Sequence, residues 1–421
     1  MATAESTDEQ RFQEEVRRNL RRNYSAHLCH GLLGQTGMRM INAPTFLPAY
    51  VYSLAGSDLA VGIARGLQYL GMFLSPILGA SLIEHRRRVL PVGFLSGALM
   101  RLSILGIALG GFLPEPLALY LVWAFLACFG FFLGIQGVVF STLIAKVIPV
   151  KRRGLLLGLR NALAGCTAFV VALYAGDVLI APNALGNGYS STFLLAFILT
   201  SLGLAVLLFI REPRGPEVRG RSRLRDRLGD LPELLRSDPH FTRFFLGRAT
   251  AVMGMMAVPY YVLYAGQRMD LGGAELGALT GAFVLAQSLG NLGWGILADR
   301  RGFRLAFLIA LTLWLLAAAF LIQVESFPEL VLTFVGLGAG LGGFQLSAHN
   351  LVLEFGSRTG LPLRIAVANS ASELVAACSS VGGGLLAMSA GYEWVFGLAI
   401  AFQCIGLAVV GLGVREPRRA G

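Results

Sequence analysis

The chain has 421 residues, of which 55% are hydrophobic and only 14% are charged. Soluble domains carry about 25% charged residues, so this composition excludes an ordinary water-soluble protein and favours a membrane protein. The formal net charge of +11 would suit a nucleic-acid-binding protein. However, the basic residues are shared among many short segments, so anionic lipid is the expected partner and nucleic acid is not.

Twelve apolar segments follow one another along the chain, each long enough for the roughly 20 residues that a membrane helix needs. Because they are continuously apolar, they predict helices and not the strands of a barrel. The predicted spans are residues 26–53, 58–82, 89–112, 117–146, 155–178, 190–210, 242–266, 275–298, 304–323, 328–353, 364–389 and 392–414. They form two six-helix bundles, 26–210 and 242–414, with a linker at 211–241 and tails at 1–25 and 415–421.

The segments outside the spans are polar. Residues Arg11–Asn23 predict either a basic amphipathic helix on the membrane surface or a solvated tail, and both remain open. In the linker, Leu228–Phe245 has apolar residues at helical spacing, which predicts a short surface helix. No cleavable signal is expected, because the first residues are polar and acidic.

The charged loops alternate along the chain. One set carries almost all of the cations, including Arg86–Arg88, Lys151–Arg153, Arg300–Arg301 and the arginines of the linker. The other set is acidic and holds one cation, Arg268. The positive-inside rule therefore predicts a multi-pass protein of the cytoplasmic membrane with both termini and the linker in the cytoplasm.

Matched motifs indicate that the second bundle repeats the first. A charged turn from Gly295 to Arg304 has a weaker copy from Gly79 to Arg88. Spans six and twelve both end in Arg-Glu-Pro, and spans two and eight both open on an acidic residue followed by leucine. The repeated unit predicts a duplicated membrane bundle.

Prolines occupy matching positions in the outer halves of spans one and seven. Pro44 and Pro48 lie in the first of these spans and Pro259 in the second. Proline removes a helical hydrogen bond, so the sequence predicts bends at these places.

Together these features resemble the major facilitator superfamily. The resemblance covers about residues 26 to 415 and rests on the twelve spans, the long linker, the Gly295–Arg304 turn and the Arg153-Gly154 pair opening span five. It implies a transporter in which two halves rock about a central site, with a small-molecule substrate and no cofactor. A monomer is expected.

The family's charged turn implies gating residues on the cytoplasmic side. The second-half turn matches the family pattern closely and implies a latch formed by Asp299, Arg300 and Arg304. The first-half turn departs from the pattern, because Ile83 stands where the aspartate belongs and Glu84 follows one place late. Glu84 is therefore the corresponding gating candidate of the first half.

Polar side chains at mid-depth are the candidates for the substrate site, because such groups need a partner or water inside a membrane. In the family, spans one, four, seven and ten line the cavity, and spans two, five, eight and eleven close its sides. The candidates on these spans are Gln35, Arg39, Asn42, Gln136, Gln287, Asn291, Gln345 and Ser372. Arg39 is expected to contact substrate or coupling ion, and the alternative is a structural pair between helices.

Glu373 is the one carboxylate well inside a predicted span, so it is the candidate for proton coupling. A permanent counter-ion is the alternative, and the sequence leaves both open. Lone amides such as Gln68 are expected to join helices. His349 is expected to cap the cytoplasmic end of its helix.

Four other arginines lie within predicted spans, beyond the first two residues of the span. Arg65, Arg160 and Arg248 are nearer the span ends, where their side chains are expected to snorkel toward the interface. Arg101 lies at mid-depth on span three, and the sequence assigns it no role.

The remaining motifs argue against an enzyme. The five cysteines have no metal-ligand spacing and are interpreted as buried free thiols. The glycine run from Gly336 to Gly343 has no strand before it, so it predicts close helix packing and not a dinucleotide loop. We find no catalytic triad and no metal cluster.

The surplus of intramembrane arginines over the single carboxylate favours an anionic substrate. The sequence therefore predicts a proton-coupled secondary transporter of a small organic solute. A drug/proton antiporter is a weaker alternative, because span four lacks the arginine and span five lacks the Gly-Pro…Gly-Gly pattern usual in those members. A non-transporting receptor or assembly factor is a further alternative.

Overall fold

The structure is a computed structural model that describes residues 2–114, 116–213, 235–236, 238–355 and 361–416, without the side chains of residues 2–9 and 361–363. The described secondary structure is helical throughout. Eleven of the described helices are long and apolar enough to cross a membrane. A twelfth span is made of two consecutive helices, so the predicted twelve-helix fold is confirmed.

The first half follows a helix at the amino terminus, Ala2–Arg18. Span one consists of Leu20–Asn42 and Phe46–Ala55. Spans two to six are Asp58–Ile83, Leu90–Gly110, Leu117–Val147, Val150–Tyr174 with a π-helical extension Ala175–Ile180, and Gly188–Val206 with a 3₁₀ turn Leu207–Phe209. A short 3₁₀ turn, Ala184–Gly186, precedes span six.

The second half begins with span seven, which consists of Pro239–Val252, two 3₁₀ turns at Met253–Met256 and Val258–Tyr260, and Tyr261–Gly266. Spans eight to twelve are Gly273–Arg301, Phe303–Leu321, Phe327–Val352, Leu361–Ala390 and Tyr392–Gly413. Most of the linker, including the first part of the predicted surface helix, lies outside the described residues, and its remainder opens span seven.

Spans one and seven are interrupted where the prolines predict bends. Span one breaks between Asn42 and Phe46, around Pro44, and span seven changes to 3₁₀ geometry before Pro259. Pro48 instead lies in the first turn of the helix Phe46–Ala55, where proline is tolerated. The broken helix and its polar residues explain why span one is not recognised by length and hydropathy alone.

Arg65 of span two stabilises the break in span one. A helix that ends leaves backbone carbonyls without partners, and a cation at that end is favourable. The Arg65 Nη2 donates to the carbonyl of Ala43 at 2.8 Å and to that of Asn42 at 3.4 Å. Its Nη1 donates to Gln68, whose amide donates to the Asn42 side chain. Arg65 is buried, so the expectation that it snorkels is wrong.

Each half is fastened within itself at the end that carries the chain termini, which we call the terminal end. In the first half, Glu212 accepts the backbone amides of Val89 and Leu90 and the ammonium of Lys146, the last at 2.7 Å. In the second half, Glu416 accepts the amide of Arg304 at 3.2 Å. The repeated Arg-Glu-Pro motif thus places one carboxylate at the start of the third helix of each bundle.

The glycine run on span ten packs closely, as predicted. A Cβ at Gly338 would lie 2.3 Å from the carbonyl oxygen of Phe283, and one at Gly340 would lie 2.5 Å from the backbone nitrogen of Trp314. Span ten therefore approaches spans eight and nine at backbone distance, which only glycine permits.

The prediction of buried cysteines is wrong. All five cysteines are unpaired, but each is exposed on the outer surface of the helices. A small apolar side chain costs nothing when it faces lipid, so apolar character does not separate the core of a membrane protein from its lipid-facing surface.

Candidate functional site

The two halves meet along two seams, one between spans two and eleven and one between spans five and eight. At the end opposite the terminal end, which we call the far end, the first seam is closed around Asp58. Tyr392 donates its hydroxyl to the Asp58 carboxylate at 2.5 Å, and Tyr260 donates to the Asp58 carbonyl at 3.0 Å. A Cβ added at Gly62 would lie 2.9 Å from the Tyr260 hydroxyl, and one added at Gly384 would lie 3.0 Å from it. The helices therefore leave no gap there.

The second seam is closed by glycines that face each other. A Cβ at Gly176 would lie 2.3 Å from the Gly273 carbonyl oxygen, and one at Gly277 would lie 2.7 Å from the Ala172 carbonyl oxygen. Beside this seam, the hydroxyls of Thr45 in the break of span one and Thr280 of span eight are 2.5 Å apart. Both seams are thus closed at the far end.

Toward the terminal end the same helices separate. A Cβ at Gly154 or Gly158 of span five, or at Gly293 or Gly295 of span eight, would meet no atom within 4 Å. The helices that are in backbone contact at the far end therefore diverge beyond mid-depth. The structure is closed at the far end and open between the halves toward the terminal end.

Three of the predicted substrate residues lie on one face of span one, because Gln35, Arg39 and Asn42 are spaced by about one and two helical turns. Asn42 is exposed, although its side chain also accepts from Gln68. Arg39 is partly exposed, and its Nη1 donates to the hydroxyl of Ser288 and, at 3.3 Å, to the Val284 carbonyl. Arg39 therefore connects the two halves at mid-depth.

Spans eight and ten bring further predicted residues near each other. A Cβ at Gly342 of span ten would lie 2.8 Å from the Gln287 side chain and 3.2 Å from the Asn291 amide oxygen. Gln345 and His349, one turn apart on span ten, are exposed. Since exposed polar groups at this depth would be costly in lipid, they indicate a water-filled space between the halves.

Glu373 of span eleven is partly buried and makes no hydrogen bond or ion pair with the described residues. Arg248 of span seven acts on it electrostatically, but donates to the Asn369 amide oxygen at 3.0 Å and to the Ala348 carbonyl at 3.4 Å. Tyr69 of span two also lies within electrostatic range. Arg248 is buried, so its predicted snorkelling is wrong.

Three polar side chains make their hydrogen bonds within their own half. Gln136 is buried and accepts from Ser96 on span three at 2.9 Å. Ser372 is buried and donates to the carbonyl of Ala368 in its own helix. Arg101 donates to the carbonyls of Thr200 and Gly97, both at 2.7 Å, which joins span three to span six and supplies the role that the sequence left open.

A buried basic cluster was missed by the sequence analysis. His27 and His30 lie inside span one, each with its ring 5.5 Å from that of Phe140, and Arg160 of span five stacks 4.3 Å from the same ring. Arg160 fills the space beside Gly31, so its predicted snorkelling is wrong. The histidine pair at helical spacing beside glycines was the available signal.

The predicted gating residues lie at the terminal end. Asp299 and Arg300 are exposed in the last turn of span eight, which extends to Arg301, so these residues are helical and not in a loop. The turn is Gly302 alone, at φ +92°. Arg304 donates to the Gly411 carbonyl of span twelve at 2.5 Å, within its own half. Glu84 follows directly on the last residue of span two.

Comparison with known proteins gives matches of three kinds. A sequence profile described as Major Facilitator Superfamily matches residues 30–273 and 244–421. An MFS-type efflux pump of Mycolicibacterium smegmatis is 30% identical over 155 residues, so the chain spans about a third of that relative's length, 35% of each protein being covered. The crystal structure of a D-xylose-proton symporter superposes with a TM-score of 0.69 at 15% identity, covering 95% of this chain and 99% of that one.

Proposed function

The chain belongs to the Major Facilitator Superfamily, and from that premise we propose that this transporter moves a small organic anion by alternating access, coupled to protons. The closed far end and the separated terminal end correspond to one of the two states that such a mechanism requires. The substrate would enter between the halves from the terminal end, which the charge distribution assigns to the cytoplasm.

Arg39 is the observation that carries this proposal. It is partly exposed at mid-depth, where a charge on an isolated helix would be costly, and the groups that it meets are a hydroxyl and a carbonyl. Among the described residues, no carboxylate lies within hydrogen-bond distance to cancel its positive charge. An anionic substrate would supply that charge.

The remaining candidates would orient the substrate. Gln35, Gln287, Asn291 and Gln345 carry amides on spans one, eight and ten and would line the space between the halves. Amides donate and accept hydrogen bonds without adding charge, so they suit the polar groups of a small solute. Gln136 and Ser372 contribute less directly in this proposal, because their hydrogen bonds lie within one half.

Glu373 would carry the coupling proton. Its carboxylate lies among buried groups without a hydrogen-bond partner among the described residues, and proton uptake would remove the cost of holding that charge there. Arg248 would compete with the proton, since it acts on Glu373 from the neighbouring helix.

Counterflow in proteoliposomes tests the proposal with a panel of radiolabelled mono- and dicarboxylates, and with D-xylose as a neutral probe. We expect at least one carboxylate to exchange, Arg39→Ala to abolish that exchange, and Arg39→Lys to retain part of it. Glu373→Gln should keep counterflow but lose uptake driven by a pH gradient. Undiminished exchange of the identified carboxylate by Arg39→Ala would contradict the assignment.

A drug/proton efflux antiporter is the second candidate, supported by the likeness to the mycobacterial efflux pump. Efflux of ethidium from vesicles, with no exchange of any carboxylate, would favour it. Absence of flux for every probe would favour a receptor or assembly factor.

A further inference from the structure

Arg39 lies where the closed part of the seam between spans five and eight ends. A Cβ at Gly165 of span five would touch the Ser288 side chain and would lie 3.3 Å from the Arg39 Nη1. Beyond this level, toward the terminal end, a Cβ at Gly158 or Gly295 would meet nothing within 4 Å. The Arg39–Ser288 contact thus lies at the level where the closed part of the seam gives way to open space.

The hydrogen bonds at Ser288 fix the direction of its contact with Arg39. Its hydroxyl donates to the Val284 carbonyl at 2.6 Å, one turn earlier on span eight. A hydroxyl has one proton, so the oxygen of Ser288 is left to accept from Arg39. The same Nη1 also reaches the Val284 carbonyl, so one nitrogen of the guanidinium is held by two acceptors of the opposite half.

The other nitrogens of Arg39 are differently placed. Its Nε and Nη2 donate to none of the described residues, and the residue is partly exposed. In a guanidinium, Nε and Nη2 carry parallel N–H bonds along one edge, and this edge matches the two oxygens of a carboxylate. With Nη1 engaged by span eight, this is the edge that remains for a ligand.

We propose that Ser288 is a positioning residue for Arg39, which it holds by Nη1 so that the Nε–Nη2 edge receives a carboxylate of the substrate. This inference rests on the proposed transport of an anion. One guanidinium then connects the substrate, span one and span eight. When the far end opens and span eight moves away from span one, Arg39 loses this support and its hold on the carboxylate weakens.

The test compares Ser288→Ala with Thr280→Val in the full-length protein. Thr280 is a matched control because its hydroxyl likewise joins span eight to span one, at Thr45, without a hydrogen bond to Arg39. Phenylglyoxal modification of Arg39, read by peptide mass spectrometry in detergent, reports the freedom of the guanidinium without need of a substrate. We expect Ser288→Ala to raise the modification rate several-fold and Thr280→Val to leave it unchanged.

Counterflow provides the second readout, with the labelled carboxylate identified in the panel. Loss of a hydrogen bond to a charged group corresponds to about a tenfold change in binding, so Ser288→Ala should raise KM about tenfold with kcat little changed. Thr280→Val should leave KM unchanged. The carboxylate should also protect Arg39 from phenylglyoxal in the parent protein.

Two results would overturn the inference. One is an unchanged modification rate in Ser288→Ala, and the other is an equal increase in both variants, which would mean that a loosened seam suffices. If Ser288→Ala alone exposes Arg39 but no carboxylate protects it or exchanges, then the hold on Nη1 stands and the proposed anionic substrate fails.

Discussion

The two ends of the molecule are held by different sets of contacts. At the far end the hydrogen bonds run between the halves, from Tyr260 and Tyr392 to Asp58. At the terminal end they run within each half, as between Glu212 and Lys146 or between Arg304 and span twelve. Each half is therefore fastened as a unit at the terminal end, and the contacts that must break for rocking are concentrated at the far end.

The glycines of span five also differ between the two ends, in how closely span eight approaches them. Gly176 is in backbone contact with span eight, whereas a Cβ added at Gly158 of the same span would meet no atom within 4 Å. Identical residues thus have opposite surroundings within one seam. In the alternate state of a rocking transporter we expect these surroundings to be exchanged, with Gly158 closed and Gly176 open.

The largest effect is expected from Gly176→Leu, because its side chain would meet the backbone of Gly273 and Gly277, which cannot move aside as a side chain would. Overpacking of this kind costs about 3 kcal/mol at the upper end, so the variant should shift the population strongly toward an open far end. The measurement is labelling of Gln345→Cys by a membrane-impermeant maleimide from the far side. All five native cysteines are exposed and must first be replaced.

Two matched glycines sharpen this experiment. Gly158→Leu should act in the opposite direction, since it would obstruct closure of the terminal end and so reduce labelling from the far side. Gly397 lies on span twelve, where an added Cβ would meet nothing within 4 Å, so Gly397→Leu should leave the labelling rate of Gln345→Cys unchanged. If Gly176→Leu labels like the parent protein, the far end is not sealed by this glycine contact.

The second-largest effect is expected from removing the Glu212 carboxylate, which holds the first half together at the terminal end. Glu212→Gln weakens the acceptor of two backbone amides and leaves the Lys146 ammonium without its carboxylate, and the Glu212 side chain is only 2% exposed. We expect a loss of about 2 kcal/mol in stability, seen as a lower Tm in detergent. Labelling of Gln345→Cys should not change, because both sides of this contact belong to one half.

Glu393→Gln is the control for that loss. Glu393 pairs with Arg268 at 3.9 Å, and its side chain is 71% exposed, so its removal should cost about 0.5 kcal/mol or less. Equal Tm values for Glu212→Gln and Glu393→Gln would mean that the buried carboxylate does not fasten the first half.

The sequence predicted much of this fold because membrane helices are specified by long apolar runs, and the breaks in spans one and seven by proline. The structure confirms the twelve spans and bends near Pro44 and Pro259. Burial was less predictable. The five cysteines are exposed, whereas Arg65, Arg160 and Arg248 are buried. Arg65 and Arg248 donate to carbonyls of neighbouring helices, and Arg160 stacks on the Phe140 ring.

For the candidate site, the sequence predicted how deep each residue lies in the membrane but not which residues it contacts. Depth follows from the position within a span, so Arg39 and Glu373 could be proposed from the sequence. The groups that act on them could not, since the Val284 carbonyl and Arg248 belong to helices distant in sequence from Arg39 and Glu373. The pairing of Asp58 with Tyr392 across 334 positions had no local signal for the same reason.

The smallest of the three effects is expected from Tyr392→Phe, which removes one hydroxyl and leaves the ring. The hydroxyl donates to the Asp58 carboxylate at 2.5 Å, while the ring lies 5.8 Å from that of Tyr260 and would stay packed. A hydrogen bond to a charged acceptor contributes about 1.5 kcal/mol or more, so labelling of Gln345→Cys from the far side should rise about tenfold.

Tyr264→Phe separates this bond from simple packing. Tyr264 lies against the same Tyr392 ring, at 6.1 Å, and its buried hydroxyl makes no hydrogen bond within the part of the chain that the structure describes. Its removal should leave the labelling rate unchanged. If both variants open the far end equally, aromatic packing holds the halves together, and the difference between the two ends is one of shape. If only Tyr392→Phe does so, the far end is held by a bond that a small change in either half can break, as a rocking mechanism requires.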